Sequence, residues 1–140
     1  MKIILNGIEY AAPAPMVGLW RKLQKLKAEH KQRVKEIEDV FITMKPYESI
    51  KKLEGADQAK FDALEESVYK KIADNKNRLL ETSIDFIVET FKNDAVTSKS
   101  IDDYMLLQDV QVKFAEINSW LSDLFMGMVK RLPNEQTPTE

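Results

Sequence analysis

The hydrophobic positions change period along the chain. In the first eleven residues the period is two: Ile3 and Leu5 alternate on one strand, Ile8 and Tyr10 follow on the next, and Asn6-Gly7 lies between. Asn-Gly suits a type I′ turn because both residues tolerate positive φ. The pattern predicts a β-hairpin over residues 1–11. A two-stranded hairpin alone is marginal in water, so this one must pack on a helix or pair with another chain. Ile3, Leu5, Ile8 and Tyr10 are therefore the candidate self-association residues. Pro13 and Pro15 stop the strand.

Beyond Pro15 the period becomes helical. Met16, Trp20, Leu23, Val34, Ile37, Phe41 and Met44 predict a helix over 16–44, which Lys45-Pro46 should end because the residue before proline avoids the α region. Asp57 reads as the N-cap of a second helix over 58–91, with an apolar face of Phe61, Leu64, Val68, Ile72, Leu79, Phe86 and Phe91. Its polar middle, Ala73 to Arg78, is a candidate kink. Ser100 can cap a short helix over 101–107. A last helix over 108–132 carries Val110, Phe114, Ile117, Leu121, Leu124 and Met128, stepping by 4, 3, 4, 3, 4 as a heptad seam. Pro133 ends it, and 133–140 reads as a flexible polar tail. The expected fold is mostly α: a small bundle of three to four helices with an N-terminal hairpin, in one domain over 1–132.

Composition narrows the function classes. The chain has 140 residues, 44% hydrophobic and 31% charged, enough apolar surface for a folded core. It has no cysteine, which removes disulfides, thiolate nucleophiles and Cys-ligated zinc together. No apolar run approaches the roughly 20 residues of a membrane span, and nothing reads as a signal peptide, so the expected location is the cytoplasm. The net charge of -2 hides a balance of +5 over residues 1–52 and -7 over the remainder. Such asymmetry permits head-to-tail self-association into rings or open spirals, although long solvated helix faces also explain it.

Candidate chemistry is sparse. His30, the single histidine, has Lys27, Lys31 and Arg33 as helical neighbours, which disfavour a bound metal. Asp102-Asp103 and Glu65-Glu66 are adjacent on helices and point about 100° apart, so neither pair converges. No glycine forms a phosphate-cradling loop and no serine sits in a nucleophile elbow. Catalytic, cofactor and metal sites are accordingly expected to be none. Arg21, Lys22, Lys25, Lys27, Lys31, Arg33 and Lys35 form a basic stretch that can track phosphates. The chain as a whole is acidic and lacks a nucleic-acid-binding motif, so nucleic acid is not the expected partner.

What remains is apolar excess on the last helix. A helix apolar on more than one face must be buried on several sides, by its own core or by a partner. Phe114, Ile117, Trp120, Leu121, Leu124 and Phe125, with Leu106 and Leu107 beside them, are the candidate partner-binding residues.

Two segments resemble the tail assembly chaperones of long-tailed bacteriophages and related prophages of Gram-positive bacteria. One is Met1-Lys2-Ile3-Ile4-Leu5-Asn6-Gly7-Ile8-Glu9-Tyr10, a proline-rich step, then Leu19-Trp20-Arg21-Lys22. The other is Ile84-Asp85-Phe86-Ile87-Val88-Glu89-Thr90-Phe91-Lys92-Asn93, followed by Ser100-Ile101-Asp102-Asp103-Tyr104, with Asp94-Ala95-Val96 where that family has a Gln-Phe-Thr-like stretch. The resemblance implies a cofactor-free, non-enzymatic protein that coats and solubilises the helical tape-measure protein. Tail tube subunits then displace it, so that it stays in the host cytoplasm and is absent from the mature virion. Two other classes fit a helical protein without a site: a nucleic-acid-binding phage regulator and a virion structural or scaffolding subunit. Affinity for bare nucleic acid marks the first, and presence in mature particles marks the second.

Overall fold

The computed structural model describes residues 1–50 and 52–130. The protein is mostly α-helical, with a two-stranded antiparallel hairpin at its N-terminus, as the periodicities predict. Strands β1 (Lys2–Leu5) and β2 (Ile8–Ala11) pair with Ile3 opposite Tyr10 and Leu5 opposite Ile8. Asn6 and Gly7 hold φ of 52° and 77°, the doubly positive turn their types allow. Helices α1 (Val17–Glu48), α2 (Gly55–Phe91), α3 (Ser98–Tyr104) and α4 (Leu107–Val129) follow. The predicted tail at 133–140 and the last residues of the predicted final helix lie outside the described residues.

Several boundaries differ from the sequence expectation, each for a local reason. Helix α1 does not stop at Met44 but runs through Pro46 to Glu48. A proline inside a helix removes one backbone hydrogen bond. Here only Tyr47 and Glu48 follow, and Ser49 Oγ donates to the Pro46 carbonyl at 2.9 Å to close the end. Helix α2 begins at Gly55, whose φ of +56° suits glycine, so Asp57 lies in the first turn beside the helix dipole and is not the cap. The polar stretch Ala73 to Arg78 does not break α2 into two helices, and it holds no glycine or proline that would interrupt it.

The cap of α3 is Thr97, not Ser100. Thr97 Oγ1 accepts from the Ser100 backbone N–H at 3.1 Å and Ser100 Oγ accepts from the Thr97 N–H at 2.8 Å. This is a reciprocal capping box. Val96 and Ile101, at the positions of a hydrophobic staple, are both buried, which fixes the start one turn earlier than the acidic pair suggested. Asp102 and Asp103 therefore fall in the second half of α3. Thr97→Ala should lower stability by about 1 kcal/mol, read as a small drop in urea midpoint. An unchanged midpoint would show that the box carries no weight.

The chain divides into two units, one of residues 1–23 and 82–140, the other of residues 24–81. In the first, the hairpin contributes Ile3 and Leu5 to a core with Leu19 and Leu23 of α1 and Phe86, Ile87 and Phe91 of α2. Ile101 of α3 and Val110, Ile117 and Leu121 of α4 complete it. On α1 the buried residues of this unit are thus Leu19 and Leu23, four apart, while Met16 of the predicted face is exposed. Thr90 is buried among apolar residues and satisfies its hydroxyl by donating to the Phe86 carbonyl at 2.7 Å.

The second unit is a pair of antiparallel helical segments. Tyr47 stands 6.5 Å from Phe61 ring to ring, and Arg33 Nε donates to Asn75 Oδ1 at 2.9 Å. Equal steps in opposite directions along the two segments are the mark of antiparallel pairing. Met44 and Val68 are its buried hydrophobic residues, a thin core that leaves Phe41 partly open to solvent.

Candidate partner-binding groove

The apolar residues of α4 divide along its length. Val110, Ile117 and Leu121 are buried, and Phe114 sets its ring edge-on to Phe86 at 5.5 Å. Leu124 and Met128 continue the same heptad steps toward the C-terminal end, but they are 48% and 56% exposed. The stripe therefore runs on past the core that buries its first half.

At that end the start of α1 comes alongside. Trp20 stacks flat on Phe125, with ring centroids 4.5 Å apart and planes 6° from parallel. Pro15, Met16, Val17, Trp20, Leu121, Leu124, Phe125 and Met128 line a trough of about 280 Å³. Met16 and Val17 on its wall are about two-thirds exposed. Among the described residues no charged side chain lines it. Pro13 and Pro15 help here: they bar regular structure before Val17, so α1 begins with apolar side chains at the lip.

The residues singled out in the sequence fall in three places. Leu121, Leu124 and Phe125 line the trough. Ile117 and, in the main, Phe114 belong to the core, and Trp120 is half-buried outside the trough lining. Leu106 and Leu107 are exposed but sit at the opposite end of α4, about 25 Å from Leu124 at 1.5 Å per residue. Pro15, Met16 and Val17 were not among the expected partner-binding residues. Their signal was present, since Met16, Val17 and Trp20 crowd one turn just after two prolines.

The remaining candidates are placed as follows. Ile3 and Leu5 are buried, Tyr10 is half-buried and Ile8 is exposed. His30 is half-buried, and its Nδ1 meets no hydrogen-bond partner among the described residues. In the basic stretch Lys22 pairs with Glu89 and Arg33 with Asn75, whereas Arg21, Lys25, Lys27, Lys31 and Lys35 are exposed. Among the described residues no group of three His, Asp or Glu side chains is placed to hold a metal ion. None of their helices is long and apolar enough to cross a membrane. On α3 a hydrogen bond from Lys99 to Asp103 at 2.9 Å, together with the carboxylate charge, holds the Lys99 pKa above its ordinary value.

No protein-family model, no curated protein and no solved structure matches the chain.

Proposed function

We propose that this protein is a non-catalytic tail assembly chaperone that holds the tape-measure protein of a phage tail through the trough between α1 and α4. The observation that carries the reading is the apolar stripe of α4 that outruns its own core. Leu124 and Met128 keep the heptad spacing of Ile117 and Leu121, yet lie open beside Met16, Val17 and the stacked Trp20 and Phe125. Isolated exposed apolar residues are ordinary, but a contiguous set lining a groove marks an interaction site. A long helical client presents repeating apolar stripes, and such a stripe seats in a groove by packing every third or fourth residue. The resemblance at the hairpin and at Ile84–Asn93 points to the same client. In this role the protein works in the host cytoplasm, needs no cofactor, and leaves before the particle matures.

Leu and Met side chains contribute about 1.5–3 kcal/mol each when buried against a partner. The double variant Leu124→Asp with Met128→Asp should therefore weaken binding to the tape-measure protein about a hundredfold or more. The melting temperature should stay within a few degrees, because both side chains are exposed in the free protein. Co-purification and thermal melts read the two effects separately. Undiminished capture of the tape-measure protein by a folded double variant would overturn the proposal.

A further inference from the structure

The hairpin has two outer edges, and they differ. Register and turn type place the Leu5–Ile8 and Ile3–Tyr10 pairs in mutual hydrogen bonding, and Ala12 N–H donates to the Met1 carbonyl at 2.8 Å in the next pair. The backbone groups of Lys2 and Ile4 on β1, and of Glu9 and Ala11 on β2, therefore point outward. On β1 the edge is covered in part: Lys113 Nζ donates to the Lys2 carbonyl at 2.7 Å. On β2 no hydrogen bond among the described residues meets the outward groups of Glu9 and Ala11, and both residues are exposed. An open strand edge is a template for pairing with another strand.

We propose that the outer edge of β2 pairs antiparallel with the same edge of a second copy of this chain, about a two-fold axis at Tyr10. The register follows from the side chains. With the axis at Glu9, two carboxylates would stand directly opposite each other, and Ala11 would face Gly7, which has left the strand. With the axis at Ala11, Glu9 would face Pro13, which has no N–H to give. With the axis at Tyr10, each Glu9 faces an Ala11 of the other copy, and all four outward donors and acceptors on each side are used.

The charges agree with this register. On the outer face of the hairpin Lys2 already approaches Glu9 of its own chain at 3.4 Å. In the pair, Ala11 is the only side chain between Lys2 and the Glu9 of the second copy, and its small size leaves that carboxylate within reach of the ammonium. The two Tyr10 residues meet in a non-hydrogen-bonded pair, where cross-strand side chains lie closest. Pairing the same edge on both copies closes at a dimer and does not continue into a spiral. This inference does not depend on the α1–α4 trough, and its test does not touch that trough.

Sedimentation equilibrium of the full chain and of two variants tests it. Ala11 is exposed and points away from the core, so its replacement leaves the fold intact. Ala11→Glu sets a second carboxylate opposite Glu9 twice per dimer and should raise the dimer dissociation constant about fivefold or more. Ala11→Lys sets an ammonium there and should lower it by a similar factor. The chain has no cysteine, so Tyr10→Cys adds a single thiol at the axis. It should form a disulfide-linked dimer under mild oxidation, and Ala12→Cys, off the axis, should not. A strict monomer at all concentrations, or a dimer that Ala11→Glu and Ala11→Lys change alike or not at all, overturns the proposal.

Discussion

Phe86→Ala is expected to lower the unfolding free energy of the first unit by about 3–5 kcal/mol. Phe86 has no exposed surface and packs edge-on against Phe114 at 5.5 Å. Truncation removes the transfer free energy of the ring, its aromatic pairing with Phe114, and the atoms that filled its volume. Ile87 and Ile117 are fully buried in the same unit, and neither can grow to fill the space. Phe114 is only half-buried and has some freedom to move inward, which favours the lower part of the range. Even that is a large share of the 5–15 kcal/mol that holds a domain together. Both tryptophans, Trp20 and Trp120, belong to this unit, so urea unfolding followed by their fluorescence reports on it directly. A loss below about 1 kcal/mol would show that Phe86 is not part of a close-packed core.

The second large effect separates two residues that face each other across the hairpin. Leu5→Ala should cost about 2–5 kcal/mol, whereas Ile8→Ala should change stability by about 0.5 kcal/mol or less. Leu5 and Ile8 are register partners on the same face of the hairpin. Leu5 is 2% exposed and lies within the core of the first unit, while Ile8 is 54% exposed at the hairpin tip. The contrast is measured by the same urea titration. Equal effects at the two positions would mean that the hairpin does not dock as described. The burial of Ile3 and Leu5 also means that deleting residues 1–11 removes two core side chains, so that deletion reports on folding before it reports on self-association. Substitutions at Ala11 avoid this, because they leave the docked face untouched.

Much of the architecture was legible along the chain. Asn6-Gly7 between two short alternating runs specifies its hairpin because a doubly positive turn admits few other residue pairs. The 3.6-residue spacing on α2 and α4 specifies those helices because one apolar stripe must find a core. Ends were less legible. Thr97 and Ser100 are both good caps, and only the burial of Val96 and Ile101 decides that Thr97 starts the helix and Ser100 answers it. Pro46 is a stop signal whose force depends on how much helix follows, and here only two residues do.

The candidate groove was legible in half. The stripe from Val110 to Met128 is a property of the sequence, and so is its excess of apolar residues. Nothing in the spacing says where along that stripe the core ends, because Ile117 and Leu124 occupy equivalent heptad positions. That is decided by which elements reach α4 and how far along it they extend. The hairpin, α2 and α3 contribute to the core that buries Val110, Ile117 and Leu121; beyond it the first turn of α1 brings Trp20 against Phe125 and leaves Leu124 and Met128 uncovered. Local spacing sets which side of a helix is apolar, since it depends only on residues a turn apart. Which part of that side stays open to a partner depends on residues about a hundred positions away in the chain, and only the tertiary structure brings those together.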